Sequence, residues 1–258
     1  MSRAHGKTVL LLRHGATAAN RDARFIGRTD LPLIAAGRAQ AATAAQWLRK
    51  YKPQACWCSP LRRCTQTARI VLLSLAQYTD APCSHGAPPP CRTGRPGRAG
   101  RLHTDCQSVV RIPIKACPEN SGTGVPPVPL GTKIQPRIVA DLREVDFGRW
   151  ENLAFDEIPK RDSARLDRWA AFDPTFRFPA GERLGDFLAR TRRVAREIAR
   201  APEDTLLVVT HGGVIRSLLC RFLRLPPRRY VAFNPSPGSL TVLELFENGG
   251  GVLTALLV

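Results

Sequence analysis

The chain has 258 residues, enough for one large core or two small ones, and no run reaches the ~18 apolar residues that a membrane-crossing helix needs. Its net charge is +18, carried mostly by arginines spread along the whole length, which argues against nucleic acid as a partner and for a surface that attracts small anionic substrates. The first apolar run is too short for a secretory segment, so a cytoplasmic location without membrane attachment is expected, and the eight cysteines read as free thiols.

Residues 7 to 13 read as a buried strand that breaks into Arg13-His14-Gly15. An Ala-rich helix comes next, from about 36 to 50, with Gly37 and Gln40 placing it behind a loop that carries Asn20 to Asp30. A short strand near 55 to 58 holds Cys56-Trp57-Cys58, and a helix spans about 61 to 76. Ser59 reads as its N-cap and Pro60 as its first helical residue. Arg62 and Arg63 then fall in the first turn, where cations oppose the helix dipole, so an anionic ligand is the reason to keep them there.

Residues from about 78 to 135 differ in kind. Pro88-Pro89-Pro90, Gly94-Arg95-Pro96-Gly97 and Pro126-Pro127 interrupt any apolar period, which predicts a long, largely disordered insertion. Cys83, His85, Cys91, His103, Cys106 and Cys117 form no C-x-x-C pair, and no metal site is expected from them.

From 137 the ordered pattern resumes, with helices near 154 to 171, 183 to 200 and 213 to 223, and strands near 205 to 210, 239 to 246 and 252 to 257. Leu142 to Glu151 supplies Glu144, a candidate proton donor among Leu142, Val145 and Phe147. Along the helix from 183, Leu184, Phe187, Leu188, Val194 and Ile198 make the buried stripe, and the arginines between 190 and 200 read as its solvated face. The apolar run ending at Thr210 leads into His211-Gly212-Gly213, an echo of Arg13-His14-Gly15. This alternation predicts an α/β fold, a mainly parallel sheet with helices on both faces, forming a single domain over 1–258 that the insertion interrupts. Ligands bind at the carboxyl ends of such strands, so both histidines are delivered to one edge.

Taken in order, Leu12 to Thr17 with Asn20, Arg24, Gly27, Asp30, Leu33, Gly37 and Gln40, then Ser59 to Ala68, Leu142 to Trp150, Pro179 to Glu182 and Val208 to Arg216 resemble the histidine phosphatase superfamily, which includes cofactor-dependent phosphoglycerate mutase. The resemblance implies a phosphoglycerate mutase-like fold and makes His14 the nucleophile that accepts a phosphoryl group. It places Arg13, Arg63 and His211 around the phosphate oxygens, with Asn20 and the Gly212 amide assisting, and gives Glu144 the acid and base role. It implies a small-molecule phosphate ester as substrate and neither a metal nor another cofactor.

Ala16 and Ile26 depart from the mutase pattern, as does Val145-Asp146-Phe147 ahead of Gly148, and these differences favour a phosphatase. Ala180 stands where a glycine is common. Leu142-Arg143-Glu144 with Phe147-Gly148 and Trp150-Glu151 is most similar to the branch containing α-ribazole phosphatase. A phosphoglycerate mutase and a non-catalytic module that binds anions or nucleic acid are the alternatives.

Overall fold

The structure is a computed structural model that describes residues 6–79 and 134–258. The expected insertion, with its six cysteines and histidines, lies outside the described residues apart from its edges.

Six strands make one sheet: β1 (Lys7–Arg13), β2 (Ala55–Cys58), β3 (Pro136–Ile138), β4 (Thr205–Thr210), β5 (Leu240–Leu245) and β6 (Gly251–Leu257), in the order β3-β2-β4-β1-β5-β6. The pairs β3–β2, β2–β4 and β4–β1 are parallel, whereas β1–β5 and β5–β6 are antiparallel. The sheet is thus mainly parallel, with an antiparallel margin: a short turn over 246–250 joins β5 to β6, and so tight a connection reverses the chain. β3 is an addition to the expected strands, because three residues carry no readable alternation.

Six α-helices are described: α1 (Ala18–Arg21), α2 (Ala35–Leu48), α3 (Arg62–Thr79), α4 (Glu157–Ala170), α5 (Leu184–Arg200) and α6 (Gly212–Phe222). Successive strand side chains point to opposite faces, so a sheet covered on both sides needs continuous apolar runs. Leu10, Leu12, Cys56, Cys58, Leu207 and Val209 pack with Ala44, Ala45 and Leu48 of α2 and Cys64, Ala68 and Val71 of α3. Val9, Leu11, Trp57, Leu206 and Val208 pack on the other face with residues of α4, α5 and α6. Leu10, Leu11 and Leu12 have no exposed surface, so truncating any one to alanine costs about 2–5 kcal/mol.

The stripe expected on α5 is buried as Leu184, Phe187, Val194 and Ile198, but Arg190 is buried with it and does not belong to the solvated face. The described thiols Cys56, Cys58, Cys64 and Cys220 are free and buried. Among the described residues, no helix is long and apolar enough to cross a membrane.

Candidate active site

The four parallel strands end along one edge, and the loops that leave them converge there. Arg13 lies opposite Thr210 in the β1–β4 register, and His14 N donates to Thr210 O at 2.9 Å, so His14 and His211 leave their strands side by side. Their rings meet edge to face with centroids 5.1 Å apart. One position along, Cys58 pairs with Val209, which brings Ser59 and the start of α3 to the same rim. After β3 a turn carries Leu142 to Glu144 inward, tied down where Thr210 Oγ1 donates to Leu142 O at 2.8 Å.

Close backbone contact holds the His14 loop. A Cβ on Gly15 would collide with Gly37 O, and one on Gly37 would collide with Ala16 O, so α2 sits directly against the turn after His14. Gly15 N donates to Thr67 Oγ1 and Ala16 N to Gln40 Oε1. His14 Nδ1 lies 2.8 Å from Gly15 O, and since a carbonyl only accepts, Nδ1 carries the proton and Nε2 presents a lone pair. Burial first, then the Arg63 and Arg13 guanidiniums, hold this imidazole well below its ordinary pKa.

Arg63 is almost wholly buried and donates from Nε to His211 Nδ1 at 3.2 Å, from Nη1 to Thr29 O and from Nη2 to Gly27 O. His211 therefore holds its proton on Nε2, which faces Ser59 Oγ at 2.8 Å. Burial and the Arg63 charge push its pKa well down as well. Ser59 does not cap α3 as expected. Instead α3 begins at Arg62, past Pro60, and Asp30 Oδ1 accepts from Arg62 N at 2.6 Å, a carboxylate placed where the helix dipole favours it. The Ser59 hydroxyl accepts from Leu61 N at a long 3.4 Å and makes its short contact with His211. Cys64 Sγ also lies against His211, but burial raises that thiol to about 12, so it stays protonated.

Arg13 donates from Nη1 to Pro235 O at 2.6 Å, and its Nε is buried with no partner. A Cβ on Gly212 would lie 3.3 Å from Arg13 Cζ, so the start of α6 and this guanidinium adjoin. The Gly212 amide is among the helix donors without an intrahelical acceptor. Glu144 completes the ring: Oε2 accepts from Gly213 N at 2.8 Å and Oε1 from Val145 N at 3.0 Å. Asn20 stands in the neighbouring loop, where Thr17 N and Oγ1 use its carboxamide oxygen and leave its amide hydrogens for a ligand.

Three supports were not read from the sequence. Glu151 accepts from Gly27 N, Arg28 N, Thr29 N and Thr29 Oγ1, and thereby fixes the carbonyls that grip Arg63. Arg190 donates to Glu144 O, Arg143 O and Asp141 O while pairing with Glu182 at 2.6 Å, so it pins the backbone that carries Glu144. Phe147, Trp150, Trp169, Phe176 and Phe178 meet mostly edge to face and hold the same segment from its apolar side. Beyond these supports stands Tyr230, also not read from the sequence, whose hydroxyl emerges beside Glu144 at Gly213. The arrangement brings an unprotonated imidazole nitrogen, two guanidiniums and a carboxyl group together where the parallel strands end, a set of groups suited to phosphoryl transfer.

Known proteins share this fold. The chain is 25% identical over 240 residues to an adenosylcobalamin/alpha-ribazole phosphatase of Escherichia coli, covering 91% of this chain and 88% of that protein. It is 26% identical over 235 residues to a glucosyl-3-phosphoglycerate phosphatase of Mycobacterium tuberculosis, covering 88% and 79%. Among solved structures, the alpha-ribazole phosphatase of Shigella flexneri superposes with a TM-score of 0.66 at 21% identity, covering 97% of this chain and 96% of that one. A mycobacterial glucosyl-3-phosphoglycerate phosphatase complexed with VO3 gives 0.63 at 25% identity, covering 96% and 98%. The model of the histidine phosphatase superfamily (branch 1) matches residues 9–81 and 127–256, and the chain belongs to that superfamily.

Proposed function

We propose that this phosphoric monoester hydrolase cleaves the ester of a small phosphorylated metabolite through a phosphohistidine on His14, without a metal ion, with Glu144 acting first as acid and then as base. The hydrogen bond from His14 Nδ1 to Gly15 O carries the reading, because it leaves Nε2 unprotonated between the charges of Arg13 and Arg63. A phosphate dianion repels nucleophiles until cations neutralise its oxygens, and here guanidiniums supply that charge. The buried, unpartnered Arg13 Nε gains an acceptor when a phosphoryl oxygen arrives. Arg63, the His211 ring, the Gly212 amide and Asn20 are the groups assigned to the remaining oxygens.

In the first step the His14 Nε2 lone pair forms the N–P bond, the ester P–O bond breaks, and Glu144 passes its proton to the departing oxygen. In the second, the Glu144 carboxylate takes a proton from water, whose oxygen attacks phosphorus, and the N–P bond breaks to return neutral His14 and inorganic phosphate.

α-Ribazole phosphate is the first substrate to test, given the likeness to a phosphatase of that ester over nine-tenths of this chain. The test screens α-ribazole phosphate, glucosyl-3-phosphoglycerate and 3-phosphoglycerate for phosphate release by the wild-type protein and by His14→Ala. Turnover of an ester that His14→Ala abolishes supports the proposal. Near-normal activity in His14→Ala overturns the covalent route, and isomerisation of phosphoglycerate without phosphate release replaces the phosphatase with a mutase.

A further inference from the structure

Tyr230 lies in a short 3-10 segment, Pro227–Ala232, that packs on α6 and carries the phenol to the leaving-group side of the site. Its ring rests on Phe172 with centroids 5.8 Å apart, and the Arg216 guanidinium lies 5.3 Å from its centroid. Arg216 is itself held by donating from Nη2 to Asn234 Oδ1 at 3.0 Å. The ring is therefore held on two sides, and its hydroxyl, which also accepts a hydrogen bond from Arg216, is turned in a fixed direction.

That direction is set by Gly213. A Cβ on Gly213 would come within 3.0 Å of Tyr230 Oη and would collide with Glu144 Oε1, so the phenol and the carboxyl flank the same α-carbon. No other hydroxyl among the described residues approaches that point so closely.

We propose that Tyr230 is a second hydrogen-bond donor to the departing oxygen, set beside Glu144. The inference rests on the phosphatase reading above. As the ester P–O bond breaks, its electron pair moves onto the leaving oxygen. Glu144 transfers a proton to that oxygen, while Tyr230 keeps its own proton and lends only a hydrogen bond to the developing charge. Burial, reinforced by the Glu144 charge, raises the Tyr230 pKa, so the group stays a phenol at any working pH and does not compete with Glu144 as a base.

A donor of this kind matters most where the departing oxygen is basic. Wild-type protein and Tyr230→Phe are compared by kcat/KM on para-nitrophenyl phosphate, whose phenolate leaves without help, and on the alkyl phosphate that the wild type turns over fastest. The phenylalanine keeps the ring packing with Phe172 and Arg216 but loses the hydrogen bond between the hydroxyl and Arg216, so a merely structural role would cost both esters alike. The expected result is a loss of about tenfold to a hundredfold on the alkyl ester and under about threefold on the aryl ester. Vanadate inhibition, which reports the phosphoryl pocket alone, should be unchanged. Equal losses on both esters, no loss on either, or a wild type that cleaves only the aryl ester overturns the role of Tyr230 and leaves the phosphatase standing. A wild type inactive on both classes overturns the phosphatase reading and this inference together.

Discussion

Arg63 Nε donates to His211 Nδ1 at 3.2 Å, and that one bond makes the buried imidazole a neutral ring with its remaining proton aimed at Ser59. A guanidinium cannot accept a hydrogen bond, so any second proton on His211 has to break this contact. His14 is locked in the opposite tautomer by Gly15 O. The two rings thus differ in chemistry: His14 keeps a lone pair on Nε2, whereas His211 has both nitrogens engaged, by Arg63 and by Ser59.

Both histidines are held far below their ordinary value of 6.5, and this has a sign for stability. Below about 6.5 the unfolded chain binds protons that the native state refuses, so their contribution is complete above that pH and is lost as pH falls through it. Each ring can contribute a slope of as much as about 1.4 kcal/mol per pH unit. Thermal melts from pH 7.5 to 5.5 should show a falling Tm in the wild type and a flatter profile in the His14→Gln, His211→Gln double variant. Parallel profiles would mean that neither ring is buried as a neutral group.

Gly213→Ala places a methyl group against the Glu144 carboxylate. The fold should survive, with a cost of about 1–3 kcal/mol from overpacking. If Glu144 is the proton donor proposed above, displacing its carboxyl by a fraction of an ångström to an ångström should lower kcat/KM by about tenfold to a hundredfold. Circular dichroism with steady-state kinetics separates the two effects, and unchanged kinetics would show that the carboxyl is not held where it is used.

Removing Arg190 leaves Glu182 and three backbone carbonyls without their buried partner. Arg190→Ala should therefore cost about 3–5 kcal/mol in denaturant unfolding. Arg192→Ala, an exposed change two residues along the same helix, should stay within about 0.5 kcal/mol.

Ala180 adopts φ 53°, a left-handed conformation that costs a residue with a Cβ about 1–2 kcal/mol. Ala180→Gly should relieve part of that strain and raise Tm by about 2–4 °C. A lowered Tm would show that the unfolded-state entropy of glycine outweighs the strain.

The family match stops at 81 and resumes at 127, on either side of the Pro- and Gly-rich segment. We propose that one domain is interrupted there. Replacing residues 82–126 with a short flexible linker should leave phosphatase activity within about threefold and the unfolding transition cooperative. An inactive or insoluble product would mean that the segment takes part in folding or catalysis.

Much of the site was legible because parallel strands buried on both faces must be continuous apolar runs, and β1 and β4 each end in an abrupt polar motif at His14 and His211. Arg63 and Glu144 come after shorter strands but carry the same contrast. The supports were harder to see. Glu151 acts on backbone donors, which leave no trace in side-chain pattern, and Ser59 faces a partner far along the chain. Arg190 did leave a trace, since it falls three residues after Phe187 and four before Val194, on the apolar stripe itself. Tyr230 had none, because its neighbour Gly213 belongs to another element.

The strand order has a consequence for biogenesis. Among the described residues β1 pairs only with Thr205–Thr210 and Leu240–Leu245, so a nascent chain carries Val9 to Leu12 without these partners until almost all of the polypeptide has left the ribosome. Such distant pairing slows folding and exposes a sticky segment meanwhile, which makes chaperone shielding valuable during synthesis. It also means that no amino-terminal fragment can assemble the candidate site, since His211 and the start of α6 arrive only with the last third of the molecule.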